Sequence, residues 1–420
     1  KWSVTRDGEM VRVGAVVETP AVEPPSSNEH VVIVGAGAAG SFAATELRRI
    51  GFGGRVTLLT REDRLPYDKP NLSKDYLAGR APEDWIPLRS EEEYAKDRVE
   101  LRLRANVERI DAARGELELA GGEKIAFDRL ILAPGARPRR LAIPTAPDAR
   151  VHYLRTWNDA DMLRAATESA QRVAVIGASF IGLEAAAALR ERNVDVTVIA
   201  PDARPLAPLG TDIGDFVRHL HESHGVHFRL GVRPVEIRSD GVVLDDGKVE
   251  PCDVVIVGIG VELDLALAEG AGLTIDRGIV VDEQLRTSAP NIFAAGDAAR
   301  FPYARTGAAI RVEHWVAAAR QGQLAARNAA GRGERFTGVP FFWSQHYDLV
   351  FAYVGFTTRA DDTQLFGTLD DHNAAVVYRD GGRVAAVATL FRDDISLAVE
   401  AAMEREAGDE EILEIVRRGF

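Results

Sequence analysis

Two glycine-bearing stretches carry most of the chemistry in this sequence, "VVIVGAGAAG" at 31–40 and "VAVIGASFIG" at 173–182. In the first, Gly35, Gly37 and Gly40 fill every place of G-x-G-x-x-G, with Ala38 and Ala39 between the last two. The first glycine permits a tight turn and the second lets backbone approach a pyrophosphate. The third lets a helix pack closely on a strand while its N-terminus faces the phosphates. In the second stretch Gly177 and Gly182 remain, but the centre is Ser179, the smallest replacement that still donates a hydrogen bond. Where an acid is expected to accept from an adenosine ribose 2'-hydroxyl stands Ala200, with Arg204 four residues on. The pattern predicts a second dinucleotide cradle that distinguishes NAD from NADP weakly, not a decayed copy of the first.

Two other clusters invite chemistry that their surroundings do not support. "HLHESHGVH" places histidines at 219, 221, 224 and 227, and His221 and His224 share a helix face. Gly225 ends that helix, however, and neither H-E-x-x-H nor a cysteine ligand accompanies them. A solvated helix end, where protonated histidines favour the macrodipole, is expected instead of a metal site. The single cysteine, Cys252, precedes the apolar run "DVVIVGIG" and is expected to be a small buried hydrophobe. Alone it builds neither a disulfide nor a Cys-x-x-Cys redox pair.

Each glycine stretch reads as strand, turn and helix, with a helix to about Ile50 before "RVTLLT" and another to about Arg192 before "VDVTVIA". Two such units predict an α/β chain with two doubly wound, Rossmann-like nucleotide-binding domains. After 334, "VPFFWSQHYDLVFAYVGF" and "NAAVVYRDGGRVAAVATLF" predict a C-terminal α+β domain with a "DGG" hairpin turn, closed by a helix over "DDISLAVEAAMERE". Residues 1–18 alternate like a hairpin about a "DG" turn, and "TPAVEPPSSN" at 19–28 has linker composition. The chain opens on Lys1 and is expected to be a fragment. Its 420 residues need more than one core. With 64 acids against 51 bases, the net charge of -13 opposes nucleic acid or an anionic membrane as partner. The longest apolar stretch holds Glu184 and a glycine turn, which reads as strand-turn-helix rather than a membrane span. No charged leader precedes an apolar core, so a cytoplasmic location is expected.

With the two loops, "LPYDKPNLSKDYL", "LILAPGARPRRL", "APNIFAAGDAA", "VEHWVAAARQG" and "FFWSQHYDL" stand in the order seen in the FAD-dependent ferredoxin and rubredoxin reductases, the group that includes apoptosis-inducing factor. The sequence resembles that family over roughly 29–400, most of all the branch in which a Rieske 2Fe-2S domain precedes the reductase. The opening hairpin is similar to the last strands of such a domain, and the cluster's Cys-x-His and Cys-x-x-His ligand pairs are absent.

The resemblance implies a hairpin and linker over 1–27, an FAD domain over 28–147 and 274–333, an inserted NAD(P)H domain over 148–273 and a reductase domain over 334–420. It places Gly35, Gly37, Ala38, Ala39 and Gly40 on the FAD pyrophosphate, Lys69 and Lys74 near the flavin and its phosphates, the backbone of Val107 on the adenine, and Arg139 on FAD. Arg61 stands where the family has a ribose acid, a departure that passes the ribose to Glu62. Asp297, at a strand end before a helix, is implied to accept from the ribityl chain, and Trp343 to lie against the isoalloxazine. Glu313, His314 and Trp315 begin a helix whose N-terminus faces the flavin pyrimidine. NADH, with NADPH not excluded, is implied on Gly177, Ser179, Phe180, Ile181 and Gly182, with Gly258 and Gly260 on the far side. Lys74 and Glu184 are implied to pair near flavin N5.

The activity implied is electron transfer from NAD(P)H through FAD to a 2Fe-2S ferredoxin or Rieske-type acceptor, with "ARPRR" at 136–140 as the compact basic patch for an acidic partner. The alternative is a redox-sensing flavoprotein with slow NADH turnover, like apoptosis-inducing factor. Disulfide reductases and cysteine-dependent NADH oxidases share both cradles but need sulfur beside the flavin, and Cys252 is misplaced for that.

Overall fold

Four consecutive apolar residues suit a strand covered on both faces, and in "VVIV" Val31, Val32 and Ile33 are fully buried. In the computed structural model, which describes residues 2–7, 10–16 and 27–420, that strand is the centre of a five-stranded parallel sheet. Its order is Ile292–Ala294, Arg129–Leu132, His30–Val34, Arg55–Leu59, Val99–Arg102. A second parallel sheet of five strands runs Val151–Tyr153, Val254–Val257, Arg172–Ile176, Asp195–Ala200, Val226–Leu230. Aligned on their glycine loops, the two sheets have the same strand order. Each also carries a three-stranded antiparallel meander in the same crossover: Val107–Asp111, Glu116–Leu119 and Lys124–Ala126 in one, Pro234–Arg238, Gly241–Leu244 and Val249–Pro251 in the other. The repetition therefore extends to the whole unit, well beyond the motif.

The sheets differ in where the outer strand comes from. In the second it precedes the glycine loop, whereas in the first it arrives only after the second sheet is complete. Chain thus passes between the units twice, and the two passages pair as an antiparallel ribbon, Ala136–Pro138 with Val261–Leu263.

Two helices set up the site. Ala38–Arg49 follows the first loop, and Trp315–Ala329 lies across it. They approach so closely that a Cβ on Gly322 would collide with the Ala39 carbonyl oxygen, so both helices begin on the same space. The C-terminal sheet is antiparallel, ordered Phe341–His346, Leu349–Gly355, Arg383–Leu390, Asn373–Asp380, Asp362–Thr368. The helix Asp393–Glu404 backs it. A further helix, Asp409–Arg418, has an acidic first turn, a basic last turn and Ile412, Leu413 and Val416 buried. Those dipole-complementing ends are a sequence signal for it. At the N-terminus Trp2–Asp7 pairs with Met10–Val16, while Gly8 of the expected Asp7-Gly8 turn and the linker as far as 26 lie outside the described residues. Among the described residues no helix is long and apolar enough to cross a membrane.

Candidate active site

The two loops are built by the same steric logic. Gly35 has φ +98, where a Cβ would strike the Ala133 carbonyl oxygen, and one on Gly40 would strike that of Gly35. Gly177 has φ +115, where a Cβ would strike the Gly258 carbonyl oxygen, and one on Gly182 would strike that of Gly177. Those four glycines are demanded by backbone packing. Gly37 is not: its backbone is extended (φ -71, ψ -165), and a Cβ there would meet only Lys69 Cε at 3.9 Å. The protein leaves this space open for itself or for a ligand, and a pyrophosphate drawn close to the backbone fits it. Ser179 has the matching extended backbone (φ -96, ψ -177), and its hydroxyl donates to the Gly258 carbonyl at 3.3 Å. Neither following helix has a side-chain N-cap, so their first N–H groups are available to an anion.

In front of the first loop opens a cavity of about 780 Å³, of the size that takes an extended cofactor. Gly35, Gly37, Ala38, Ala39, Arg61, Glu62, Lys69 and Val107 line one end. There Lys69 donates to Glu62 at 2.9 Å and to the Tyr67 hydroxyl at 2.8 Å, and burial lowers its pKa. Tyr67 donates to the other Glu62 oxygen at 2.5 Å. Both Glu62 oxygens are therefore already engaged, and Arg61 pairs with Asp264 at 2.9 Å.

Midway, Asp297 lies in a turn between the strands Ile292–Ala294 and Ala299–Pro302, not before a helix as expected. Gly296, with φ +82 and its N–H held by Gln321 at 2.8 Å, turns the chain straight into the next strand. The Asp297 carboxylate accepts from Arg155 at 2.7 Å, and Arg155 also donates to the Ala136 carbonyl at 3.1 Å. Sequence reasoning missed Arg155, although it stands just past the C-terminal end of a parallel strand, where ligands of such sheets gather. The arginine it did name, Arg139, is exposed and outside the cavity. The ribbon draws the chain away there, and the Arg139 N–H bonds the Gly260 carbonyl at 3.0 Å.

At the far end Glu313, His314 and Trp315 line the cavity, with the helix beginning at Trp315. His314 is held neutral by burial, its pKa down to about 4, and its Nδ1 has no partner among the protein's own described atoms. Lys74 and Glu184 are both buried and form an ion pair at 2.8 Å, and the Lys74 ammonium also stands 4.8 Å from the centre of the Trp343 ring. Phe180 and Ile181, the first residues of the second-loop helix, reach this same end, and Phe180 meets Phe342 edge-on at 4.9 Å. Gly40, Gly177, Ser179, Gly182, Gly258 and Gly260 do not line the cavity; Gly40 serves packing, and the others form the second loop and its rim.

Of the histidine cluster, His219, His224 and His227 are exposed as expected of a solvated helix end, but His221 is not. The helix Thr211–Ser223 does stop before Gly225, but His221 is fully buried, 3.1 Å from His346 and 3.4 Å from the Tyr347 hydroxyl. The C-terminal sheet covers it, a long-range contact that no local spacing reveals. Cys252 is buried in the core of the second unit, where burial pushes its thiol up to about 11, unfit as a redox thiol.

Comparison with known proteins finds the profile of the pyridine nucleotide-disulphide oxidoreductases over residues 29–322. The chain belongs to that family. Rhodocoxin reductase of Rhodococcus erythropolis is 37% identical over 382 residues, 90% of this chain and 90% of that protein. Putidaredoxin reductase CamA of Pseudomonas putida is 35% identical over 378 residues, 87% of this chain and 90% of that protein. Human apoptosis-inducing factor 3 is 33% identical over 379 residues, 88% of this chain and 62% of that protein. Among solved structures, the reductase of the covalent putidaredoxin reductase–putidaredoxin complex superposes with TM-score 0.87 at 33% identity, covering 94% of this chain and 99% of that one.

Proposed function

We propose that this chain is an NADH-dependent ferredoxin reductase that holds FAD in the large cavity and NADH on the second loop, and delivers electrons to a 2Fe-2S ferredoxin or Rieske-type protein. One observation carries the reading. Phe180 and Ile181 begin the second-loop helix and also form the cavity wall beside Lys74, Glu184 and Trp343, so a dinucleotide on that loop ends against the flavin end of the cavity. The likeness to rhodocoxin and putidaredoxin reductases supports the acceptor class.

Bound FAD supplies the electron chemistry, accepting two electrons from the nicotinamide and giving them up singly. The chain's own groups bind and polarise. Gly37 leaves room for the pyrophosphate, the helix N-terminus at Ala38 faces it, and Lys69 adds positive charge. Arg155 fixes the Asp297 carboxylate to accept from a ribityl hydroxyl. The amides at Trp315 present the positive end of a 15-residue helix to the pyrimidine edge. Lys74 and Glu184 together add no net charge, and with Phe180 and Phe342 they keep water from the meeting point. Ala200 favours neither nucleotide, and the preference for NADH rests on Arg204 being held by Asp215 at 2.6 Å, away from a 2'-phosphate. Exposed Arg139 and Arg140 remain as basic groups for an acidic acceptor. A cytoplasmic setting belongs to the same proposal.

The test is direct. Purified protein should be yellow, bleach anaerobically with NADH and regain colour at once on addition of oxidised 2Fe-2S ferredoxin. A reduced complex that ferredoxin cannot reoxidise refutes the reading.

A further inference from the structure

Behind the Lys74–Glu184 pair runs a line of buried polar groups that the proposed chemistry has not used. Glu184 Oε2 accepts from Lys74 at 2.8 Å and from the Ser73 hydroxyl at 2.6 Å, while Oε1 accepts from the Ser344 hydroxyl at 2.6 Å. Ser344 Oγ lies 3.2 Å from His346 Nε2, His346 Nδ1 lies 3.1 Å from His221 Nε2, and His221 Nδ1 lies 3.4 Å from the Tyr347 hydroxyl. Ser344 and His346 stand two apart on one strand and so share a face. Tyr347 is 8% exposed and stacks at 3.7 Å on the exposed ring of His224. The line therefore runs from the flavin end of the cavity to the protein surface.

Its polarity follows from the chemistry of its inner end. An ionised carboxylate only accepts, so the Ser344 hydrogen points to Glu184 and Ser344 Oγ must accept from His346 Nε2–H. His346 Nδ1 then accepts from His221 Nε2–H, and His221 Nδ1 accepts from the Tyr347 hydroxyl. Every hydrogen points inward. Burial, and for His346 also Lys74, keeps both imidazoles neutral, His221 well below its usual range and His346 at about 3, as single tautomers require. The charged and titratable groups facing the line are Lys74 at its inner end, and His224, Arg190 and Glu191 at its outer end.

We propose that Tyr347, His221, His346 and Ser344 form a proton relay that protonates Glu184 when electrons enter the site and deprotonates it when they leave. The proposal rests on the ferredoxin-reductase reading. Turnover balances as NADH + 2 oxidised acceptor → NAD+ + 2 reduced acceptor + H+. Solvent supplies one further proton to the Tyr347 oxygen as its own hydrogen passes inward on electron entry, and receives one back there on exit, which leaves this sum unchanged. One proton passed inward shifts each hydrogen by one link and leaves both imidazoles in the opposite tautomer. From that arrangement Glu184 can return a proton without any ring turning over. The four residues are positioning and conducting groups; none need touch the nicotinamide.

Holoprotein is mixed anaerobically with NADH in weak buffer containing a pH-indicator dye. Hydride transfer alone consumes no proton, so the relay predicts about one proton taken up per flavin bleached, and none for Glu184→Gln. His346→Leu should slow the uptake at least tenfold. So should Tyr347→Phe, which removes a single hydroxyl and keeps the ring that stacks on His224. Independently of turnover, ¹⁵N-histidine spectra of the protein without NADH should show His221 and His346 as neutral Nε2–H tautomers. Bleaching without proton uptake, wild-type uptake rates in both relay variants, or Nδ1–H tautomers would overturn the relay alone. A protein that NADH does not bleach overturns the reductase reading and the relay together.

Discussion

Replacing Gly37 with alanine separates what the fold requires from what the cofactor requires. The backbone there is extended and open to any residue, and the nearest atom to the new methyl is Lys69 Cε at 3.9 Å. The flavin-free protein should therefore keep its stability or gain about 0.4–1 kcal/mol from a less flexible unfolded chain. The cofactor would meet a methyl where its pyrophosphate needs backbone. Crowding of that kind costs about 1–3 kcal/mol, which corresponds to FAD held roughly 5- to 150-fold more weakly. Urea unfolding of the flavin-free protein and quenching of FAD fluorescence measure the two halves separately. Gly40→Ala is the control, since its methyl would collide with the Gly35 carbonyl and should damage folding itself. If Gly37→Ala binds FAD as tightly as the parent, the open space at Gly37 is not the pyrophosphate site.

Lys74→Met leaves Glu184 buried without its cation and should cost about 3–5 kcal/mol in urea unfolding, most of it recovered when Glu184→Leu is added. Flavin reduction by NADH should slow in Lys74→Met, and an unchanged rate would remove the pair from the mechanism. The depressed pKa of His346 means that the unfolded chain binds more protons below its ordinary 6.5, so stability is lost as pH falls from 6.5 towards 3. The loss from this residue should be about 2 kcal/mol at pH 5, and His346→Phe should flatten that limb of the stability curve. Asp215→Asn frees Arg204 for a 2'-phosphate, so the ratio of kcat/KM for NADPH to that for NADH should rise several-fold. Steady-state rates with the two nucleotides check it.

Local signals in the sequence carried much of the fold. Apolar runs ahead of Gly35 and Gly177 specify buried parallel strands, and the glycine spacing specifies the turn and the helix that follows, because those constraints act within ten residues. The loop glycines were named from that spacing, whereas Lys69, Lys74, Glu184, Asp297, His314 and Trp343 were named only through the family resemblance, because nothing local to them shows what they face. Arg155 was missed and Arg139 misplaced because the ribbon at Ala136–Pro138, a pairing across more than a hundred residues, decides which arginine turns inward. His221 was read as solvated for a similar reason: its burial depends on strand Phe341–His346, which its own neighbourhood does not mention. Helix Asp409–Arg418 was missed, although acids at one end and bases at the other mark it.

The pairing of Ala136–Pro138 with Val261–Leu263 also governs how the two nucleotide units move. A single connecting strand would act as a swivel, whereas two strands bonded edge to edge act as a strap that flexes across its flat face and resists slipping lengthwise. The strap thereby fixes the register in which Phe180 and Ile181 meet the cavity wall.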